Sequence, residues 1–202
     1  MKTIQNIHVI SIALAVFLTS CSENVTVETE PLLSDLAPDG WADAAGALVD
    51  NHNGPAGYVA LAESPTGGTL IRIDLKGLSQ GWHGVHLHQV ADCSDYSEGF
   101  KMSGGHVDPE DRQHGLLNPE GPEAADMPNI YAGADGRVTA EIFNPFASLF
   151  PSEAAAAVNG PNPLIDEDGF AIIVHQGSDD HLTQPIGGAG ARVACAAITS
   201  GL

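Results

Sequence analysis

Positive charge is what this chain has least of: 7 Lys and Arg stand against 26 Asp and Glu, for a formal net charge of −19 over 202 residues. Such a surface argues against nucleic acid and anionic membrane surfaces as partners, and it repels an anionic substrate unless a local cation guides it in. Cysteine is sparse, with three in all. Long apolar runs are missing too, since the longest, Val9 to Leu18, is too short to span a bilayer as a helix. Helix-forming stretches are equally scarce. Only Glu153 to Val158, an alanine run between Pro151 and Pro161, favours a turn or two of helix inside a loop. No internal repeat divides the chain. What is present suffices for one well-buried domain, because an apolar content of 43% at this length is ordinary for a globular protein and argues against disorder throughout.

The N-terminus has the parts of an export signal. Lys2 supplies a small positive region, Val9 to Leu18 the apolar segment, and Leu18-Thr19-Ser20-Cys21 a small-residue cleavage site. That ending resembles the bacterial lipobox, which implies cleavage before Cys21, lipid on its thiol and amine, and retention on a membrane facing the periplasm or the cell exterior. The alternative is a plain secretory signal with an incidental cysteine; His8 just before the apolar run and Ser11 within it make that run less clean than usual. If Cys21 carries lipid, Cys93 and Cys195 remain as an even pair that an oxidising compartment would let join. Such a bridge would close a loop of about a hundred residues, worth roughly 4 to 5 kcal/mol in the chain-entropy model. The alternative there is two buried free thiols. Residues 21–40 carry Glu23, Glu28, Glu30, Asp35 and Asp39 with no basic residue, plus Pro31 and Pro38, and read as a flexible acidic tether after a signal over 1–20. The folded domain is expected over 41–202.

Within that domain short strands alternate with turns. Thr69 to Leu75 places Ile71, Ile73 and Leu75 on one face and Arg72 and Asp74 on the other, and Arg137 to Phe143 repeats the device through Val138, Ala140 and Ile142. Phe170 to Val174 reads as a buried strand. Asn53-Gly54-Pro55, Gly67-Gly68, Asp135-Gly136 and Asp168-Gly169 supply the turns between them. The pattern predicts an all-β sandwich or barrel.

The chemistry concentrates on histidine. In Gly81 to His88, G-W-H-G-V-H-L-H, strand alternation sends His86 and His88 to one side and Val85 and Leu87 to the other. Two imidazoles at fixed spacing suit copper or zinc, although an isolated H-x-H pair is weak evidence and more often two solvated histidines on an exposed strand face. More candidates follow. His106 and His114 lie in a Gly/Pro-rich stretch with Asp126 further along the same long loop, and His175 ends the strand Phe170 to Val174. A loop of that length without secondary structure is usually functional.

These segments, together with S-G-G-H-V-D-P and the H-G after it, D-M-P-N-I, I-I-V-H-Q-G-S-D-D and G-A-G-A-R-V-A-C, resemble the copper,zinc superoxide dismutase family in its bacterial exported form. The likeness runs from Trp41 to Ile198, with the motifs in the family's order. It implies a Greek-key, eight-stranded flattened barrel, an immunoglobulin-like sandwich with long metal-binding loops. It implies that His86, His88, His106 and His175 bind copper, that His106 bridges to zinc, and that His114 and Asp126 are further zinc ligands. It implies Arg192 beside the copper as the guide for an anion, a Cys93–Cys195 disulfide, and Asp179 bonded to one ligand of each metal site. His83 matches a structural histidine and not a ligand. The activity implied is conversion of superoxide to oxygen and hydrogen peroxide, with copper as the redox metal, zinc as structural support, and Arg192 and His106 as the catalytic residues.

The sequence departs from the family at one chemically important position. Three residues before Asp126, where another zinc-binding histidine is normal, stands Glu123, which either completes a zinc site through carboxylate oxygen or points to water. Val107-Asp108 replaces Phe-Asn, and Ala196-Ala197 replaces Gly-Val. Gln176 to Gly190 lacks the basic residues that give some members a positive rim, for which Lys101 or Arg112 are candidate substitutes. His181 and His52 read as exposed loop residues. Two function classes follow: a lipid-anchored superoxide dismutase, with a copper-only form as a variant of it, and a non-catalytic copper- or zinc-binding module of the cell envelope. Oligomeric state has no signature in the sequence.

Overall fold

The structure, a computed structural model, describes Ala37 and residues 41–151 and 162–199. The export signal, Cys21, the acidic tether apart from Ala37, and the alanine run Glu153 to Val158 lie outside the described residues.

The two-residue alternation holds where the sequence displayed it. β3 (Thr69–Leu75) buries Thr69, Ile71, Ile73 and Leu75 and leaves Arg72 and Asp74 on the other face. Its pleat suits the β-branched side chains that fill it. β7 (Val138–Asn144) begins one residue later than the expected run, and β10 (Phe170–His175) is buried along its whole length. With β1 (Ala44–Asp50), β2 (Pro55–Glu63), β5 (Val85–His88) and β11 (Arg192–Ile198) these strands form one sheet in the order β5-β10-β11-β1-β2-β3-β7. Each of its neighbouring pairs is antiparallel. The placement of β11 beside β1 and β7 beside β3 comes from long connections of the Greek-key kind. β4 (Gly81–His83) pairs with β6 (Ile130–Ala132), and β8 (Ala147–Ser148) pairs in parallel with β9 (Asn162–Pro163). Among the described residues, counting β4 and β5 as one run interrupted at Gly84 and setting aside the two-residue β8 and β9, the principal strands are the expected eight, and the all-β class is as the sequence implied.

Gly84 shows why that run breaks. A Cβ there would lie 3.0 Å from Ala189 Cβ and 3.3 Å from Asp179 Cβ, so the bare backbone lets the 177–190 loop press onto the strand. Gly84 donates its N–H to the Gly177 carbonyl at 2.8 Å and accepts from the His175 N–H at 2.9 Å. This contact seats Asp179 close to β5.

Alternate residues of the central strands build two apolar clusters. Leu48, Val59, Leu61, Ile71, Ile73, Val85, Leu87, Ile172 and Val174 belong to the main core. The opposite face of β10, Ala171 and Ile173, packs with Phe100 and Cys195 and against Cys93 and Tyr96. Cys93 and Cys195 are disulfide-bonded across 102 residues with Cα atoms 5.8 Å apart, which removes the alternative of two free thiols. The bond ties the loop after β5 to β11.

Because the closed loop is long, its loss should be felt chiefly through the unfolded chain. Cys195→Ser is expected to lower unfolding free energy by about 3 to 5 kcal/mol, read from denaturant unfolding beside the parent. A change under about 1 kcal/mol would show that the bridge is incidental to stability.

Candidate metal centre

β5 divides its side chains as the alternation requires. Val85 and Leu87 enter the core, while His86 and His88 turn to the other face, where both are fully buried and not solvated. As the edge of the sheet, β5 has backbone groups facing outward, and the long loop satisfies them. Val107 donates to the Leu87 carbonyl at 3.0 Å, Leu87 to Ala125 at 3.2 Å, and Ala125 to Val107 at 3.0 Å. This pairing brings His106 opposite His88 and Asp126 opposite His86. His175 arrives from the end of β10, at a register shift between Val174 and His175. Ring centroids then lie 4.4 Å apart for His86 and His106, 4.9 Å for His86 and His175, and 5.1 Å for His88 and His106.

Hydrogen-bond partners decide which nitrogen of each ring is left over. A carbonyl or carboxylate oxygen only accepts, so the nitrogen facing it carries the hydrogen. His88 Nδ1 faces the Gly104 carbonyl at 3.0 Å, His175 Nδ1 the Gly190 carbonyl at 3.1 Å, and His86 Nε2 the Asp179 carboxylate at 2.9 Å. His106 Nδ1 lies 2.5 Å from Glu123 Oε2. His86 Nδ1 and the Nε2 atoms of His88, His106 and His175 are thereby buried with no hydrogen-bond partner. Burial pushes the His86 ring below its ordinary value. For His88, burial, the Arg192 charge and His106 lower it to about 2, and for His175 burial and then His86 lower it to about 3. Neutral imidazoles with unshared lone pairs are what a transition-metal ion requires.

A second, more acidic group adjoins the first. His106, His114, Glu123 and Asp126 each present a donor atom within 4.8 Å of the others, all four buried. Asp126 Oδ2 is occupied by the N–H groups of Gly115 and Glu123, at 2.7 and 2.9 Å, which leaves Oδ1 facing inward. His114 Nδ1 lies 2.6 Å from that oxygen, yet neither atom has a hydrogen bond of proper geometry. Both are aimed at a common point. Burial alone would lower His114, but the three carboxylates around it, Asp126 and Glu123 beside Nδ1 and Asp179 hydrogen-bonded to Nε2, outweigh it and raise the ring to about 11. Burial would raise Glu123, and its contacts with His106 and His114 instead hold it down at about 2. The cluster therefore favours a cation, either a proton on His114 or a divalent ion in its place. The donor set of nitrogen and carboxylate oxygen fits zinc.

Asp179 joins the two groups. Its Oδ2 accepts from His86 and its Oδ1 from His114 Nε2 at 3.1 Å, and these bonds keep the carboxylate well below its usual range against the opposing effect of burial. Arg192, half-buried, donates to the carbonyls of Phe100 at 2.7 Å and Gly104 at 3.0 Å and to Ser103 Oγ at 3.0 Å. It thus fixes the loop whose Gly104 carbonyl orients His88.

Of the remaining expectations, Glu123 points into the cluster and not to water. His83 rests between the carbonyls of His175 and Ser79, at 2.8 and 2.9 Å, as a structural histidine should. His52 is exposed, as expected, whereas His181 is not. Its side chain is 17% exposed and its Nδ1 lies 3.4 Å from Asp179 Oδ2. It folds inward because its backbone takes a left-handed turn at φ 61° and its own N–H bonds Asp179. Arg112 is held by Glu110 at 2.6 Å, so it is not a free substitute for a positive rim; Lys101 is exposed. Sequence reasoning also missed Asn129, which binds the backbone of Asp179 through both ends of its amide at 2.8 Å. Its place in D-M-P-N-I was the only signal.

Such a Greek-key sheet, with a four-histidine group sharing His106 with an acidic one, defines a two-metal β-barrel of the superoxide dismutase kind. Comparison with known proteins agrees. The sequence model described as copper/zinc superoxide dismutase (SODC) matches residues 55–198. The superoxide dismutase (Cu-Zn) of Caulobacter vibrioides is 46% identical over 157 residues, covering 77% of this chain and 85% of the relative. Superoxide dismutase (Cu-Zn) 2 of Aquifex aeolicus is 38% identical over 156 residues, again 77% and 85%. Among solved structures, a double mutant of a SOD-like protein from Bacillus subtilis superposes with a TM-score of 0.70 at 34% identity, covering 77% of this chain and 97% of that one. The chain belongs to the copper/zinc superoxide dismutase family.

The charge arrangement dictates how the metal-free protein responds to pH. His114 is raised from 6.5, so its contribution is complete below that value and is lost as pH climbs towards about 11. His88 and His175 are lowered from 6.5, so theirs is complete above it and is lost as pH falls towards about 2 and about 3. Glu123, lowered from 4.5 to about 2, adds to the acid-side loss. Thermal unfolding of chelator-treated protein should therefore be most favourable to the native state near pH 6.5, with the alkaline decline much reduced in His114→Gln. An alkaline limb unchanged in that variant would contradict the assignment.

Proposed function

We propose that this protein is a superoxide dismutase, taking two superoxide anions and two protons to one dioxygen and one hydrogen peroxide. One observation carries the reading: four buried imidazole nitrogens, on His86, His88, His106 and His175, lack any partner. Those nitrogens would hold copper, and His106 Nδ1, His114 Nδ1, Asp126 Oδ1 and Glu123 Oε2 would hold zinc. Bound copper supplies one-electron chemistry that zinc cannot, accepting an electron from one superoxide and returning it to the next.

The chain's own residues do the rest. Arg192 keeps its charge at any working pH and supplies a fixed cation at the site, which an anion needs on a protein of net charge −19. Three hydrogen bonds to the 100–104 loop hold its guanidinium in place. His106 presents one ring nitrogen to each cluster; whenever its Nε2 is not held by a metal, that nitrogen would be free to hold a proton and deliver it as peroxide forms. Asp179 keeps His86 and His114 in the tautomers that leave their Nδ1 atoms free.

A specific contact supports a copper-only variant of the same reading. Glu123 Oε2, 2.5 Å from His106 Nδ1, gives that ring a carboxylate partner when no zinc is present. The non-catalytic module stays the rival, since a solved relative carries the name SOD-like. The expected attachment of lipid at Cys21, and with it a location in the cell envelope, is part of the proposal and rests on the Leu18 to Cys21 sequence.

Superoxide decay followed after pulsed generation tests the central reading on copper-loaded protein. The expected rate constant approaches the diffusional ceiling of about 10⁸ to 10⁹ M⁻¹s⁻¹. Arg192→Ala should lower it by about tenfold or more and weaken its dependence on salt. A rate no better than free copper would leave the binding module. Metal analysis of Glu123→His beside the parent addresses zinc: higher retention in the variant is expected, and equal retention would show that the substitution is neutral.

A further inference from the structure

We infer that His181 is a positioning residue, a third imidazole gathered on Asp179 that holds this carboxylate in the orientation linking the two clusters. The inference rests on the metal-centre reading above. Its first support is the amide of Asn129, whose orientation the backbone settles. Oδ1 accepts the Asp179 N–H at 2.8 Å, so Nδ2 is the end that donates to the Asp179 carbonyl at 2.8 Å. That same Nδ2 lies 3.2 Å from His181 Nε2. A donor faces Nε2, so Nε2 accepts and the ring hydrogen sits on Nδ1. His181 Nδ1 is buried without a hydrogen bond of its own and lies 3.4 Å from Asp179 Oδ2, a long approach governed by electrostatics.

The backbone of His181 completes the arrangement. Its N–H donates to Asp179 Oδ1 at 2.6 Å, and its carbonyl accepts from Leu117 at 3.2 Å, on the loop that follows His114. Each oxygen of Asp179 thus meets one cluster histidine and one group of His181: Oδ1 has His114 and the His181 N–H, and Oδ2 has His86 and the His181 ring. Rotation of the carboxylate away from either cluster would break contacts at both oxygens. A left-handed backbone at φ 61° is needed to present both groups at once. Among residues with side chains, Asn tolerates that conformation well, and glycine adopts it freely.

These properties allow the ring to be separated from the backbone. His181→Gly keeps the turn and removes the ring, while His181→Asn keeps the turn and restores a donor near the Nδ1 position. The readout is cobalt(II) titration of metal-free protein, followed by visible ligand-field bands. Partners behind metal ligands typically contribute 10- to 100-fold in affinity, and His181 acts one step further back, so His181→Gly should weaken cobalt(II) binding by about tenfold. His181→Asn should recover most of that loss. Equal affinity in parent and glycine variant overturns the inference, as does an asparagine variant as weak as glycine. Long-range ¹H–¹⁵N spectra of the metal-free parent give an independent test. The Nδ1–H tautomer of His181 is expected, and an Nε2–H tautomer overturns the inference whatever the metals do. Failure of the parent to bind cobalt(II) would instead remove the metal-centre reading, with the tautomer still deciding the place of His181.

Discussion

Buried lone pairs without partners are the constraint on which this structure turns. Six donor atoms of the centre, on His86, His88, His106, His114, His175 and Asp126, lie inside the protein with no hydrogen bond. A polar atom left in that condition costs roughly 1 to 3 kcal/mol, and native proteins keep only a few per hundred residues, so six gathered at one place call for an explanation. The carboxylate and carbonyl partners of these residues do not relieve the cost, because they occupy the other nitrogen of each ring. They turn the unsatisfied atoms towards shared points instead. An ion of suitable size and charge satisfies them together, and the surrounding fold can be understood as what keeps them turned that way until it does.

The fold supplies that restraint from several directions. The outer edge of β5 (Val85–His88) is paired by a loop, so His106 and Asp126 are set by backbone hydrogen bonds and not by side-chain preference alone. The missing Cβ at Gly84 admits the segment carrying Asp179. Arg192 fastens the 100–104 loop, whose Gly104 carbonyl in turn orients His88. The Cys93–Cys195 bond anchors the same region to β11 (Arg192–Ile198). One cation therefore serves both loop structure and the local field, on a protein that has few cations to spare.

Much of the fold was legible from the chain because β3 and β10 show their burial directly: alternation in Thr69 to Leu75, an unbroken apolar run in Phe170 to Val174. The cysteine pairing was legible as arithmetic, and its alternative fell only with the structure. The histidines of the centre could be named from spacing and family resemblance, but their tautomers could not, since these depend on carbonyls of Gly104 and Gly190 that no side-chain pattern announces. The direction of Glu123 was equally hidden. A carboxylate in place of histidine could face water or the cluster, and what settles it is the proximity of His106, which the chain brings together only by folding the loop back along β5. His181 was misread as exposed because its neighbour Asp180 and its loop look solvated. Its inward turn follows from one left-handed residue and from Asn129, fifty-two positions away.

The central claim is that the unpartnered atoms converge on two ions with His106 between them. Anomalous X-ray diffraction at the copper and zinc absorption edges, on protein loaded with both metals, tests it most directly. The account predicts a copper peak among His86, His88, His106 and His175, and a separate zinc peak among His106, His114, Glu123 and Asp126. A copper peak away from the four histidines, or none there at all, would contradict it.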